Sequence, residues 1–227
     1  MILSPGGLES IQGRLIVSCQ AYPGEPMRDP RTTAQIAASA VTGGAAAVRV
    51  QGLADVQHTR SAVEVPVIGL WKDGHDGVFI TPTLRHALAV ANAGAHIVAI
   101  DGTRRDRADG LTLARTVAAI HTESHALVMA DCGSLEDAVA AADAGADLIG
   151  TTLAGYTGER PKTPGPDLEL LEQIAAAGSE VPLIAEGRIH TPAQARQALD
   201  AGAFAVVVGT AITHPATITG WFADALK

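Results

Sequence analysis

No stretch of this 227-residue sequence is apolar for long enough to cross a bilayer as a helix. Gly, Asp or Arg interrupts each apolar run well short of the roughly 20 residues that a span needs. The N-terminus does not set a basic segment ahead of an apolar one, as a secretory leader would. Membrane insertion and export are therefore not expected, and the cytoplasm is the expected location. Cysteine is scarce: Cys19 and Cys132 stand alone at the ends of apolar runs, which gives neither a disulfide framework nor a metal spacing. A reducing compartment fits, and both thiols read as packing. No His, Cys or Asp spacing on one element suggests a metal ion. Lys and Arg form no cluster and the net charge is -8, so nucleic acid is not an expected partner, and any anionic ligand has to be held by a local site. A dinucleotide fingerprint is missing too, because the first apolar run leads into "SCQAYPGEP" and not G-x-G-x-x-G. No cofactor is expected.

What is present is a high apolar content, 47%, in a chain long enough to bury a sizeable core, with one domain over 1–227 as the expectation. The phrases "TGGAAAVRV", "NAGAHIVAID", "DAGADLIGTT" and "DAGAFAVVVGT" repeat one pattern: an Ala-rich segment, a glycine, then a short Val/Ile-rich run with a polar end. Glycine suits the left-handed position that closes a helix, and the run after it is short enough for a buried strand. Eight candidate strands follow: "RLIVSCQ", "AAAVRVQ", "VPVIGLWK", "IVAIDG", "ALVMADC", "LIGTTL", "PLIAEGR" and "AVVVGT". They recur at the length of a βα unit, and their near-continuous apolar character is that of parallel strands buried on both faces. Eight such units predict a single (β/α)8 barrel, the TIM barrel; a doubly wound open sheet usually has fewer strands. "GYTGERPKTPGPD" is too rich in Pro, Gly and charge for a regular element and reads as a long exposed loop, and "HTESH" as a solvated connection between helix and strand.

In such a barrel the C-terminal strand ends surround one cavity, where the active site lies. The polar residues at those ends are therefore the candidates. Strand one ends in Gln20, two in Arg49, three in Lys72, four in Asp101, five in Asp131, seven in Glu186 and Arg188, and eight in Gly209 and Thr210. Singly, each could be a solvated loop residue. Asp101 and Asp131 could equally be helix N-caps, Glu186 could simply pair with Arg188 or Lys72, and Trp71 reads as packing. Lys72 follows Val, Ile, Gly, Leu and Trp, and Glu186 follows "PLIA" with Gly187 behind it. An amine at the edge of an apolar barrel can have its pKa lowered enough to act as a base, and a carboxyl among apolar groups can have its pKa raised enough to act as an acid. Together they suit proton abstraction next to a carbonyl; a lysine Schiff base of the aldolase kind is the alternative chemistry. The glycines of "EGRI" and "VVVGTAI" fall in the two loops where barrels of this type bind phosphate through backbone N–H groups, with Arg188 as the nearby cation.

The phrases "LIVSCQAYPGEPMRDP", "VPVIGLWK", "VFITPT", "IDGTRRDRADGLTL", "MADCGSLEDA", "IGTTLAGYT", "IAEGRI" and "AVVVGTAIT", in order over nearly the whole chain, resemble the N-acetylmannosamine-6-phosphate 2-epimerase family of bacterial sialic-acid catabolism. The resemblance implies a cofactor-independent isomerase that inverts C2 of N-acetyl-D-mannosamine 6-phosphate, and it suggests a homodimer. Lys72 matches the lysine that moves the C2 proton, and Glu186 the glutamate that assists. The sugar-contacting positions map onto Gln20, Arg49 and Asp131, phosphate is expected near Gly187 and Gly209, and Asp101 is a further polar contact. Where the family usually has "GSAITRP", with an arginine reaching the phosphate, this sequence has "GTAITHP", which puts His214 in that place. "VRVQG" keeps the arginine of the second strand but changes the residues after it. Another sugar-phosphate barrel enzyme, and a barrel that binds a sugar phosphate without turning it over, are the readings that compete.

Overall fold

The computed structural model describes residues 5–227 and joins eight parallel strands into a closed ring in chain order, the (β/α)8 barrel that the sequence predicts. The strands are β1 (Leu15–Cys19), β2 (Ala47–Gln51), β3 (Val67–Leu70), β4 (Ile97–Asp101), β5 (Leu127–Asp131), β6 (Leu148–Gly150), β7 (Leu183–Glu186) and β8 (Ala205–Val208). The helices are α1 (Pro30–Thr42), α2 (Leu53–Ala62), α3 (Leu84–Asn92), α4 (Leu113–Glu123), α5 (Leu135–Asp143), α6 (Leu168–Ala176) and α7 (Pro192–Asp200), followed after β8 by a short α8 (Thr210–Thr213) and then α9 (Pro215–Asp224). β8 pairs with β1 through Leu15–Val206, Ile16–Val207 and Val17–Val208, which closes the ring.

Side chains alternate between two apolar environments, as a pleated strand buried on both faces requires. Ile16, Ala47, Ile97, Ala99, Leu127 and Met129 pack with one another inside the barrel. Their neighbours in sequence, Val17, Val48, Val98, Ile100 and Val128, pack outward against the helices. Leu8 and Ile11, from the 3-10 turn Pro5–Ile11, join the inner cluster. Each fully buried aliphatic side chain stabilises the fold by about 1.5–3 kcal/mol, so this double-sided packing, more than the propensity of 9- to 13-residue helices, holds the ring together.

The repeated glycine does what the sequence pattern asks of it. Gly44, Gly94, Gly145 and Gly202 have φ of 104°, 105°, 86° and 102°, each just after a helix and just before a strand. At the other helix ends Asp29, Thr83, Thr112, Ser134, Asp167 and Thr191 cap the first turn with a side-chain oxygen. Such caps are typically worth about 1 kcal/mol each.

Three boundaries differ from the sequence reading. β2 runs past Arg49 to Gln51, so Arg49 is an inward residue within the strand and not its end. β3 stops at Leu70, and Lys72 sits beyond it in an isolated antiparallel bridge with Ile80. "HTESH" is mostly helix: His121, Thr122 and Glu123 complete α4, Ser124 is its C-cap, and His121 Nε2 lies 2.7 Å from Asp147 Oδ2.

Candidate active site

The inward alternation that fills the barrel with aliphatic residues turns polar in its last layer. Following Ile16, Ser18 and Gln20 along β1, Ile68, Leu70 and Lys72 along β3, Leu127, Met129 and Asp131 along β5, and Ile184 and Glu186 along β7, every second residue faces the lumen and the last ones carry polar groups. Above them opens a cavity of about 440 Å³. Of the residues singled out from the sequence, Gln20, Lys72, Glu186, Gly187, Arg188, Gly209, Thr210 and His214 line it. Lys72 and Glu186, 114 positions apart in the numbering, therefore share one hollow.

Arg49 and Asp131 stand below the cavity as its floor and are absent from its wall. Arg49 Nη2 is 2.6 Å from Asp131 Oδ2 and Nη1 3.0 Å from Asp131 Oδ1, a bidentate pair with both side chains out of contact with solvent. Arg49 Nη1 also lies 2.9 Å from Glu186 Oε2. Room for this comes from β6: a β-carbon on Gly150 would stand 2.5 Å from Met129 Cε and 3.2 Å from Asp131 Oδ1, so a side chain there would push the Met129 methyl aside and crowd the floor carboxylate. Thr152, the next inward position, donates to Asp131 Oδ1 at 2.6 Å and lies 3.2 Å from Glu186 Oε2. Thr151, facing the other way, ties β6 to β7 by accepting from Glu186 N and donating to Glu186 O, each at 3.0 Å.

Asp131 thus caps no helix, since Ser134 caps α5. Asp101 caps none either, and it does not reach the cavity. Its carboxylate accepts from Thr103 N at 3.0 Å, Thr103 Oγ1 at 2.6 Å and Arg105 Nη2 at 2.7 Å, all within its own βα loop. The sequence-based assignment of Asp101 as a ligand contact is corrected accordingly.

Lys72 is held from outside the barrel. The segment after β3 folds back as a narrow hairpin in which Thr81 N donates to Trp71 O at 2.8 Å and Asp73 N to Phe79 O at 3.0 Å. Thr81 is buried at φ 48°, a conformation costly for a β-branched residue, and its hydroxyl joins Trp71 N to Ala99 O. Arg107 clamps the turn by donating to Thr81 O and Asp101 O at 2.9 and 2.8 Å.

Arg188 is not the free cation that the sequence suggested. Gly187 and Arg188 both adopt left-handed backbone, at φ 119° and 56°, which turns the chain sharply after β7. The guanidinium then points away from the strand ends: Nε donates to Gly165 O, Nη1 to Ala154 O at 2.8 Å and Nη2 to Thr163 Oγ1. Arg188 thereby fastens the irregular β6–α6 segment, which carries the cavity residues Leu153 and Tyr156. That segment lacks regular structure, as expected, yet it is built into the site wall and not simply exposed. On the opposite wall His214 is buried against the Tyr22 ring, 4.7 Å between centroids, with Nδ1 3.7 Å from Glu25 Oε1. The N–H groups of Gly187, Arg188, Gly209 and Thr210, all residues of the cavity wall, have no hydrogen-bond acceptor among the described residues, which makes this part of the wall suited to an anion.

The electrostatics follow from burial and from this floor. Glu186 is raised above the ordinary carboxylate range, by burial first, with Asp131 adding to the rise and Arg49, Thr152 and Lys72 opposing it. Lys72 is lowered from the usual lysine value, by burial first and then by the Arg49 charge, against the pull of Glu186 and Asp131. Arg49 is raised although burial opposes it, because Asp131 and Glu186 both favour its charge. Cys19 and Cys132 are buried and free, and burial pushes Cys19 up to about 12, so neither thiol is poised to react. Thr152, Tyr22, His75, Tyr156 and His190 line the cavity without having been singled out from the sequence. For Thr152 the signal was there, at the inward step after Leu148 and Gly150; for the others nothing periodic marks a loop residue.

Residues 33–227 match a family model described as "Putative N-acetylmannosamine-6-phosphate epimerase". Two relatives are named "Putative N-acetylmannosamine-6-phosphate 2-epimerase". One, from Cutibacterium acnes, is 62% identical over 221 residues, 97% of this chain and 96% of the relative. The other, from Corynebacterium glutamicum strain R, is 47% identical over 219 residues, 95% of this chain and 94% of the relative. The solved N-acetylmannosamine-6-phosphate 2-epimerase of Clostridium perfringens superposes with a TM-score of 0.91 at 38% identity, covering 96% of this chain and 95% of that one. Thiamine phosphate pyrophosphorylase of Pyrococcus furiosus, TM-score 0.60 at 19% identity, shares the fold alone.

Proposed function

The chain belongs to the N-acetylmannosamine-6-phosphate epimerase family, and from that membership we propose that its cavity inverts C2 of N-acetyl-D-mannosamine 6-phosphate to give N-acetyl-D-glucosamine 6-phosphate in amino-sugar, sialic-acid catabolism. One observation carries the assignment of roles: Lys72 and Glu186 line the same cavity with pKa values displaced toward each other.

Inversion at C2 needs a base on one face of the carbon and an acid on the other. In the open-chain aldehyde, neutral Lys72 takes the C2 proton. The C–H bond breaks, an N–H bond forms, and the electron pair moves into the enolate of C1 and C2. Glu186, protonated, then returns a proton to the opposite face, its O–H bond breaking as the new C–H bond forms. The product complex holds charged lysine and carboxylate, and the same two groups exchange roles for the reverse reaction. With Arg49 and Asp131 as a fixed ion pair, the site has zero net charge in both arrangements: amine with carboxylic acid, or ammonium with carboxylate. Because burial disfavours the charged form of each partner, the two arrangements come closer in energy than they would in water, which suits a reaction whose substrate and product are epimers. No metal or organic cofactor enters these steps. The 6-phosphate sits on the N–H rim of Gly187 and Gly209, with His214 and Thr210 beside it, and Gln20 contacts the sugar. Arg49 and Asp131 set the floor on which Glu186 rests.

An NMR time course in D₂O tests the reading. Either 6-phosphate should equilibrate to the same mixture, with deuterium appearing at C2 and no metal added. Equilibration without deuterium at C2 would rule out proton exchange as the route.

No helix among the described residues is long and apolar enough to cross a membrane. We place the protein in the cytoplasm, since its two cysteines are free and buried, as a reducing compartment allows. We further read it as a homodimer joined through α9. That helix buries none of its own residues and leaves Phe222 70% exposed, with Leu226 beyond it 88% exposed. Light scattering should give twice the chain mass for the wild type and one chain mass for the double variant Phe222→Asp, Leu226→Asp. A wild-type monomer at micromolar concentration would refute the dimer.

A further inference from the structure

Thr152 holds one hydroxyl proton between two carboxylates, 2.6 Å from Asp131 Oδ1 and 3.2 Å from Glu186 Oε2. A hydroxyl can donate to only one of them at a time. The two acceptors differ in kind. Asp131 keeps a bidentate Arg49 partner, whereas Glu186, on the reading above, gains and loses a proton in every turnover. Glu186 Oε2 takes both of the protein's contacts to that carboxyl, Arg49 Nη1 at 2.9 Å and Thr152. No group among the described residues bonds Oε1, which leaves that oxygen to exchange the proton with C2. We propose that Thr152 is a positioning residue whose hydroxyl turns to Glu186 Oε2 when that carboxyl is ionised and to Asp131 Oδ1 when it is protonated, so that Glu186 keeps one orientation in both states. No proton passes through Thr152. Its O–H dipole follows the negative charge as Oε1 gains or loses its proton, while Arg49 fixes the other side.

Facing Glu186 are Arg49 from β2, Lys72 beyond β3 and Asp131 from β5, and His75, Arg188, His190 and His214 stand elsewhere on the cavity wall. Of these, a substitution at Thr152 changes the contacts of Asp131 alone, which keeps its bidentate Arg49 partner, so a change in the acid limb of the rate profile reports on the hydroxyl. Thr152→Val keeps the shape and removes the donor. It is expected to lower kcat by about 10- to 100-fold, leave KM within about threefold, and move the acid limb of kcat for the direction that needs Glu186 ionised upward by about one pH unit, the equivalent of a tenfold change. Thr152→Ser should restore kcat to within about threefold and return the limb to its wild-type position. Thr152→Ala supplies the same comparison with serine if the valine variant does not fold, as judged by thermal melting.

A folded Thr152→Val or Thr152→Ala with wild-type kcat and acid limb would overturn the proposal, as would a serine variant no better than valine. The inference rests on the epimerase reading, and the two failures are distinct. A wild type that does not interconvert the 6-phosphates sinks both, whereas an active wild type with an unaffected valine variant sinks this one alone.

Discussion

Lys72→Ala is expected to lose about 10³-fold or more of turnover in both directions while the protein stays folded, because general acid–base groups typically contribute about 10²- to 10⁴-fold and the inversion has no second amine on that face. The fold should tolerate the change. Lys72 lies beyond the end of β3, makes no ion pair within 4 Å among the described residues, and is held through its backbone bridge to Ile80, which alanine keeps. Lys72→Arg should fail to rescue, since a guanidinium stays protonated and cannot accept the C2 proton. Coupled-assay rates and deuterium incorporation at C2 measure both. Turnover in Lys72→Ala within tenfold of wild type would remove Lys72 from the chemistry. The same variant separates proton transfer from a lysine Schiff base: borohydride added to wild type with substrate should leave the mass of the chain unchanged.

The pH profile follows from the same pair. On the proposed mechanism the reaction needs one proton shared between Lys72 and Glu186. Acid that protonates both stops it, and base that deprotonates both stops it. Since Glu186 is raised and Lys72 lowered, the rate should fall on the acid side at higher pH than an ordinary carboxylate of about 4.3 would dictate. On the basic side it should fall at lower pH than a free lysine of about 10.4 would. A bell no narrower than those reference values would contradict the displacement.

Much of this is legible in the sequence. The glycine that ends each repeated helix, the double-sided apolar strands and their number specified the barrel, because backbone conformation and burial write themselves into period and composition. That Gln20, Lys72 and Glu186 line the cavity is legible from their places as polar residues at the C-terminal ends of apolar strands. Partner choice is not. Arg188 follows Glu186 and Gly187 and looks free, but the left-handed turn sends its guanidinium into the loop at Ala154, Thr163 and Gly165, and no local pattern encodes a loop 23 to 34 residues upstream. Asp101 and Asp131 hold matching places at the ends of neighbouring strands, Asp101 opposite Asp131 in the β4–β5 register, yet one is taken by its own loop and the other by Arg49 across the barrel. Lys72 was placed by strand reading, but the bridge and the strained Thr81 that hold it belong to a hairpin without sequence period.

Arg49→Met should be the most destabilising single change at the site. Methionine has nearly the length of the arginine stem and fits among Met129 and the inner aliphatic layer, so the loss is mainly electrostatic. It would leave Asp131, 0% exposed, with Thr152 as its one hydrogen-bond donor in place of three, and Glu186 beside it without its Arg49 ion pair. Removing one partner of a buried ion pair typically costs about 3–5 kcal/mol, because the remaining charge is stranded in a poor solvent. For a chain of this size each kcal/mol lowers Tm by about 2–4 °C, so melting should come about 6–20 °C earlier. With Arg49 gone, the charge that opposes burial at Glu186 is lost, so Glu186 is pushed further upward, and part of the lost stability should return as the pH is lowered toward its new value. That recovery is the discriminating readout, since a packing defect at position 49 would not care about pH in this range. Asp131→Asn in the Arg49→Met background should then recover stability, because the amide keeps the acceptor for Thr152 and removes the uncompensated charge. If Arg49→Met instead melts with the wild type at neutral pH, the floor of the barrel is not held by the charge pair and the geometry of Glu186 must be set elsewhere.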